Sequence, residues 1–164
     1  MKTVKYKAHK SSILISPARL LLLATIILGV IINLVSTLYV LGWIPAMVVY
    51  YMEKKSIFVK YHSLLIVFTE IVKGLLLFIL TIISLQFDIP YFYGVFTDVD
   101  FNLGIMGYID IGINTFFLLF QVFQIWKICT YSEFGVKFIN KILYYFMKKD
   151  PKFYEMQEKM NVIE

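Results

Sequence analysis

The chain has 164 residues, of which 60% are hydrophobic, 18% aromatic and only 16% charged, with a formal net charge of +5 and a mean hydropathy of +0.76. A soluble domain carries about a quarter charged residues, so this balance excludes a disordered chain and a basic nucleic-acid-binding module, and argues against a soluble enzyme. Residues 20–52 form a run of 33 without Asp, Glu, Lys or Arg, well beyond the ~18 that mark a membrane-spanning segment. The expected fold is all-α. It is a polytopic integral membrane helical bundle, built from a helical hairpin and two long transmembrane helices, with a C-terminal amphipathic interfacial helix; one domain covers 1–164.

In chain order, 1–12 is basic (Lys2, Lys5, Lys7, Lys10) and free of acids. It has the character of an organelle-targeting segment or of a simple positive-inside anchor. The hydrophobic block 13–52 is too long for one crossing: 13–51 as a straight helix would span ~58 Å against a hydrocarbon core of ~30 Å. Its weak points are Gly29, Asn33, Ser36, Thr37 and the stretch from Gly42 to Pro45. A single crossing followed by a kink would put the N-terminus opposite Lys54, Lys55 and Lys60. A hairpin keeps all basic flanks on one side, which the positive-inside rule favours.

Residues 57–87 are expected to form one transmembrane helix and 101–127 another. The acidic, aromatic stretch 88–100 between them carries Asp88, Asp98 and Asp100 and no base, and reads as a loop at headgroup level. In 134–149, Phe134, Phe138, Ile139, Ile142, Tyr145 and Phe146 make an apolar stripe at helical spacing, with Lys137, Lys141 and Lys148 on another face. That pattern predicts an interfacial helix. Asp150 and Pro151 stop it, and 151–164 is a polar tail with room for a short exposed helix.

Ionisable residues at membrane depth are costly and face protein or water. His62, Glu70 and Lys73 fall within an ~80° arc of the first long helix, and Asp110, Asn114, Gln121 and Gln124 within an ~80° arc of the second. Together they predict one intramembrane polar seam, in which Lys73 pairs with Glu70 or Asp110. Such a seam either glues the helices or lines a hydrated path. Lys54, Lys55, Lys60, Lys137, Lys141, Lys148 and Lys149 would form a collar facing one leaflet, suited to an anionic phospholipid such as cardiolipin.

Catalytic signals are thin. His9 and His62 are 53 residues apart and cannot form a zinc pair on one helix face. Cys129 has no disulfide partner, and no phosphate-binding or nucleophile-elbow motif is present. The Asp98–Val99–Asp100 triplet suits a metal only weakly, a solvated loop being the alternative. The expectation is a protein that is not an enzyme, with no cofactor, no metal and no nucleic-acid partner.

The segment from Glu53 through Val72, with Lys54, Lys55, Phe58, Val59, Lys60, Tyr61 and His62, resembles a junction in small membrane proteins related to the twenty-kilodalton component of the chloroplast inner-envelope translocon and their bacterial relatives. In that family a hydrophobic hairpin ends in lysines and a Phe-Val-basic-aromatic-His run opens the next transmembrane helix. The order of features agrees over about 35–143, but Leu65 stands where a Gln is frequent. The resemblance implies a four-helix protein within a membrane assembly. The missing catalytic groups, the aromatic excess and a bundle too small to bury all its faces point to an accessory subunit of a larger membrane complex in a mitochondrial or other organellar inner membrane, of respiratory or ATP-synthase type, while the resemblance and the polar seam point to a component of a translocon or channel. Its partners are other membrane subunits and anionic lipid. The basic N-terminus, 53–60 and the C-terminus are expected on the matrix or cytoplasmic side.

Overall fold

Pro17 ends the basic N-terminal stretch and opens the first helix: it accepts from the N–H groups of Leu20 and Leu21, while Ala18 donates back to His9. The computed structural model describes residues 5–13, 17–35, 41–86, 105–150, 153 and 162–163. Its order is β1 (Lys5–Tyr6), α1 (Ala18–Val35), a 3₁₀ turn (Leu41–Trp43), α2 (Ile44–Met52), α3 (Ile57–Gln86), α4 (Ile105–Cys129), α5 (Lys137–Met147) and β2 (Val162–Ile163). The fold is therefore all-α, apart from a two-stranded antiparallel ladder that sets Lys5 against Ile163 and Tyr6 against Val162. The loop 88–100, with Asp98 and Asp100, lies outside the described residues.

The helices α1 and α2 pack against each other as the arms of the predicted hairpin. Pro45 sits in the first turn of α2, where its missing N–H costs nothing. The two arms touch through glycine. A Cβ on Gly29 would lie 2.7 Å from the carbonyl oxygen of Gly42, and one on Gly42 would lie 2.4 Å from the Asn33 amide. At the other end, Ser11 and Ser12 bond to Glu53 across the mouth of the hairpin, so the chain returns to the side where it began.

α3 has 30 residues and α4 has 25, or about 45 and 38 Å. They are the two helices among the described residues that are long and apolar enough to cross a membrane. Ser56 caps α3 by accepting the Val59 N–H at 3.1 Å. α4 ends at Tyr131, whose positive φ of 51° lets Tyr131 donate to Ile128 and Ser132 to Lys127. This pair of bonds closes the last turn, in a conformation that costs a non-glycine residue about 1–2 kcal/mol. The main core lies at this end, where Phe58, Tyr61, Ile128, Leu143, Met147 and Phe153 are buried together. The three basic segments, 5–13, 53–60 and 127–149, all meet there.

In the C-terminal part, the face of α5 packed inward carries Asn140, Leu143 and Met147, while Phe138, Tyr145 and Phe146 of the predicted stripe are exposed, as an interfacial helix requires. Tyr61 decides this: it donates to Asn140 at 2.6 Å and accepts the Phe134 N–H at 3.1 Å, so the amide is drawn inward and the rings turn out. Of the polar tail, 151–152, 154–161 and 164 lie outside the described residues. Phe153 is buried, and Val162–Ile163 pairs with the N-terminal strand.

Candidate functional site

Glu53 and Glu70 are the first two carboxylates in the chain, and each organises a polar cluster. Glu53 follows α2 in extended conformation (φ −71°, ψ 125°), which turns its side chain back under the bundle. It accepts from the hydroxyls of Ser11 and Ser12, both at 2.5 Å, and from the N–H groups of Ser12, Lys55 and Ser56. Burial opposes ionisation of this carboxyl, yet the bonds from Ser11, Ser12, Lys55 and Ser56 prevail and hold its pKa below the ordinary value. Glu133, also buried, accepts from the Tyr6 hydroxyl at 2.6 Å and from the Tyr144 hydroxyl. Burial first pushes both tyrosines above their ordinary pKa, followed for Tyr144 by the negative charge of Glu133 and for Tyr6 by Tyr144 and then Glu133. His9 completes the N-terminal anchor: its Nδ1 donates to the Lys7 carbonyl at 2.8 Å, and its Nε2 lies 2.6 Å from the Ser56 hydroxyl. These bonds lock the N-terminal segment, the α2–α3 turn and the α4–α5 turn into one polar plate.

The second cluster lies about 20 Å along α3 from its start. Glu70 accepts from the Asn33 amide of α1 at 3.0 Å and from the Gln121 amide of α4 at 2.7 Å. The Asn33 side chain is fixed in turn, because its oxygen accepts the Gly42 N–H at 2.8 Å. A backbone N–H can only donate, so the nitrogen must face Glu70. Three helices and the 3₁₀ turn converge on this one carboxylate.

The predicted seam is broken into separate contacts. Glu70 and Gln121 do meet. Asn114 instead bonds back to Asp110 on its own helix, at 3.0 Å to the carbonyl and 3.2 Å to the carboxylate. Gln124 is buried and donates to the His62 carbonyl at 3.5 Å. His62 belongs to the polar plate rather than the seam: its Nε2 bonds the Ser132 carbonyl at 3.1 Å. Lys73 pairs with neither Glu70 nor Asp110. Among the described residues it makes no ion pair; Glu70 accepts instead from two amides of other helices.

The collar is corrected at one position. Lys54, Lys55, Lys137, Lys141, Lys148 and Lys149 are exposed around the plate, but Lys60 is buried, paired with Asp150 and set over the Tyr50 ring. Among the described residues no group of three His, Cys, Asp or Glu side chains is gathered to hold a metal ion.

Sequence reasoning treated Asn33 only as a weak point in the hairpin and missed Glu53, Glu133, Tyr6 and Asn140. The signal for Asn33 was its isolation as an amide inside a 33-residue uncharged run. For Glu53 it was its position as the first acid after 52 residues without one; Tyr6 and Asn140 gave no comparable sign. No family model matches the chain, and neither a curated protein nor a solved structure matches it.

Proposed function

We propose that this chain is a non-enzymatic accessory subunit of a larger membrane complex, seated in an organellar inner membrane such as that of the mitochondrion. Its polar plate and lysine collar then lie at the matrix or cytoplasmic face. The observation that carries the proposal is the outer side of α4. Tyr108, Phe116, Leu119, Phe123 and Trp126 are all large and exposed, and together with the open Gly112 they recur every three or four residues. That is the spacing with which one helix packs against another. Only 11% of the most apolar α4 window is buried, against 33% for α3, whereas a helix in a soluble core would be mostly covered. Aromatic side chains favour protein contacts. The Glu70 cluster supports a gluing role for the polar residues, since both carboxylate oxygens are occupied by amides from neighbouring helices.

The test is extraction in mild detergent at native expression level, followed by a native gel. Migration within a large defined complex is the expected result; migration alone or as a small homo-oligomer contradicts the proposal. A translocon or channel component is the second reading, favoured by the resemblance around 53–72 and by Lys73, which makes no ion pair among the described residues. Conductance from the purified chain in a planar bilayer would select it.

A further inference from the structure

At ~100° per residue, α5 divides into three faces. Asn140, Leu143 and Met147 span ~60° and pack inward. Lys137, Lys141 and Lys148 span ~40° and are all exposed. Phe138, Tyr145 and Phe146 lie within ~100° on the remaining side. They too are exposed, at 71%, 61% and 49%, so three rings on one short helix present their apolar surface outward. The ammonium of Lys149 closes the pattern at the helix end, 4.6 Å from the Tyr145 ring centre and 5.7 Å from that of Phe146. Residues 136–149 contain four lysines and no acid. The acids that flank the helix in the chain are already engaged: Glu133 accepts from Tyr6 and Tyr144, and Asp150 pairs with Lys60.

We propose that the outer side of α5 is a binding site for anionic phospholipid, with its three rings among the acyl chains and its lysine face on the phosphates. This inference rests on the membrane placement in the proposed function and names the lipid chemistry that one element of it selects. The separation of charge from apolar surface carries it. A bilayer edge offers hydrocarbon and phosphate side by side, within the ~5–10 Å depth that an amphipathic helix occupies. A helix whose lysines only set topology has no use for outward rings. A helix that only rests on hydrocarbon has no use for three lysines gathered on one face. Together the two faces match a surface that is apolar below and negatively charged above. Lys60, buried against Asp150, takes no part.

The experiment uses the full chain with Trp43→Phe, Trp126→Phe and Phe138→Trp, so that its one tryptophan reports from α5. It is reconstituted in vesicles of phosphatidylcholine with a minor fraction of phosphatidylglycerol, and an equal amount of one lipid or the other carries bromine on its acyl chains. Quenching by the brominated phosphatidylglycerol is expected to be about threefold stronger or more, and the difference is expected to shrink as salt is raised. Lys137→Gln, Lys141→Gln and Lys148→Gln together are expected to abolish the preference while quenching by phosphatidylcholine persists. The melting temperature of that variant in detergent is expected to be unchanged, because all three side chains are exposed. Equal quenching by the two lipids with the lysines intact overturns headgroup selection, as does a preference that survives their replacement. No quenching by either lipid overturns the contact of the rings with acyl chains. Release of the chain from the vesicles by alkaline carbonate defeats the membrane reading itself.

Discussion

Replacing Glu53 by Ala probes the polar plate most sharply. Glu53 is 0% exposed and gathers donors from Ser11, Ser12, Lys55 and Ser56. Without it, Ser12 and Lys55 regain water because they lie near the surface, whereas Ser11 and Ser56 are buried and keep orphaned donors. Each orphan costs about 1–3 kcal/mol, and loss of the charge-assisted bonds to the others adds to this, giving about 3–5 kcal/mol in all. At roughly 2–4 °C per kcal/mol for a chain of this size, the melting temperature falls by on the order of 10 °C. Tryptophan fluorescence in detergent reads the melt, with Trp43 on the hairpin and Trp126 near the end of α4 as reporters. Ser11→Ala removes one donor and is expected to cost about 1 kcal/mol. A Glu53→Ala chain melting within about 2 °C of wild type refutes the reasoning. The pH dependence has a fixed sign. The folded pKa of Glu53 is lowered from 4.5, so its contribution is full above the unfolded value and is lost as pH falls through the lower folded one.

Three other outcomes are expected. Gly29→Val places carbon against the Gly42 carbonyl and should destabilise the hairpin by about 1–3 kcal/mol or more; Gly112→Ala, where an added Cβ meets nothing within 4 Å, should be neutral or stabilising by about 0.5–1 kcal/mol. Thermal melts of the two variants check both. Asn33→Leu removes one donor to Glu70 and the acceptor for the Gly42 N–H, and should cost about 2–4 kcal/mol, with faster proteolysis near residue 40 as the readout. Tyr6 and Tyr144 have raised pKa values, so their contribution is complete below the unfolded tyrosine value of about 10 and is lost as pH rises beyond it. Alkaline unfolding followed by circular dichroism should therefore begin later in Tyr6→Phe than in wild type when each is normalised to its neutral-pH stability.

The hairpin and both long helices were legible because charge is a strong signal in an apolar chain. The described lysines of 5–13, 53–60 and 127–149 sort to one end, where Ser12 bonds Glu53 and Lys5 pairs with Ser132. Glu70 and Gln121 were legible as neighbours because antiparallel helices anchored at Lys60 and Lys127 put them at one depth. The Glu70–Lys73 pair was expected from spacing alone, but Glu70 bonds instead to Gln121 and to Asn33, which is oriented by the Gly42 N–H; helical spacing says nothing about donors from a third helix. The inward face of α5 was not legible: the Tyr61 hydroxyl bonds Asn140, and nothing in the helical spacing of 134–149 pairs those two residues. The left-handed residue at Tyr131 carried no sequence sign, since that conformation normally selects Gly or Asn; it is held by ring contacts with Phe58 and His9 and by the Tyr6 N–H.

The central claim is that α3 and α4 cross a membrane while the hairpin enters and returns, leaving every basic segment on one face. Single cysteines at 55, 94 and 149 in a Cys129→Ser chain, labelled in sealed vesicles with a membrane-impermeant maleimide, test it directly. Positions 55 and 149 should label from the same side, and 94, between the two long helices, from the other. Labelling of 55 and 149 from opposite sides, or of all three from one side, would contradict the account.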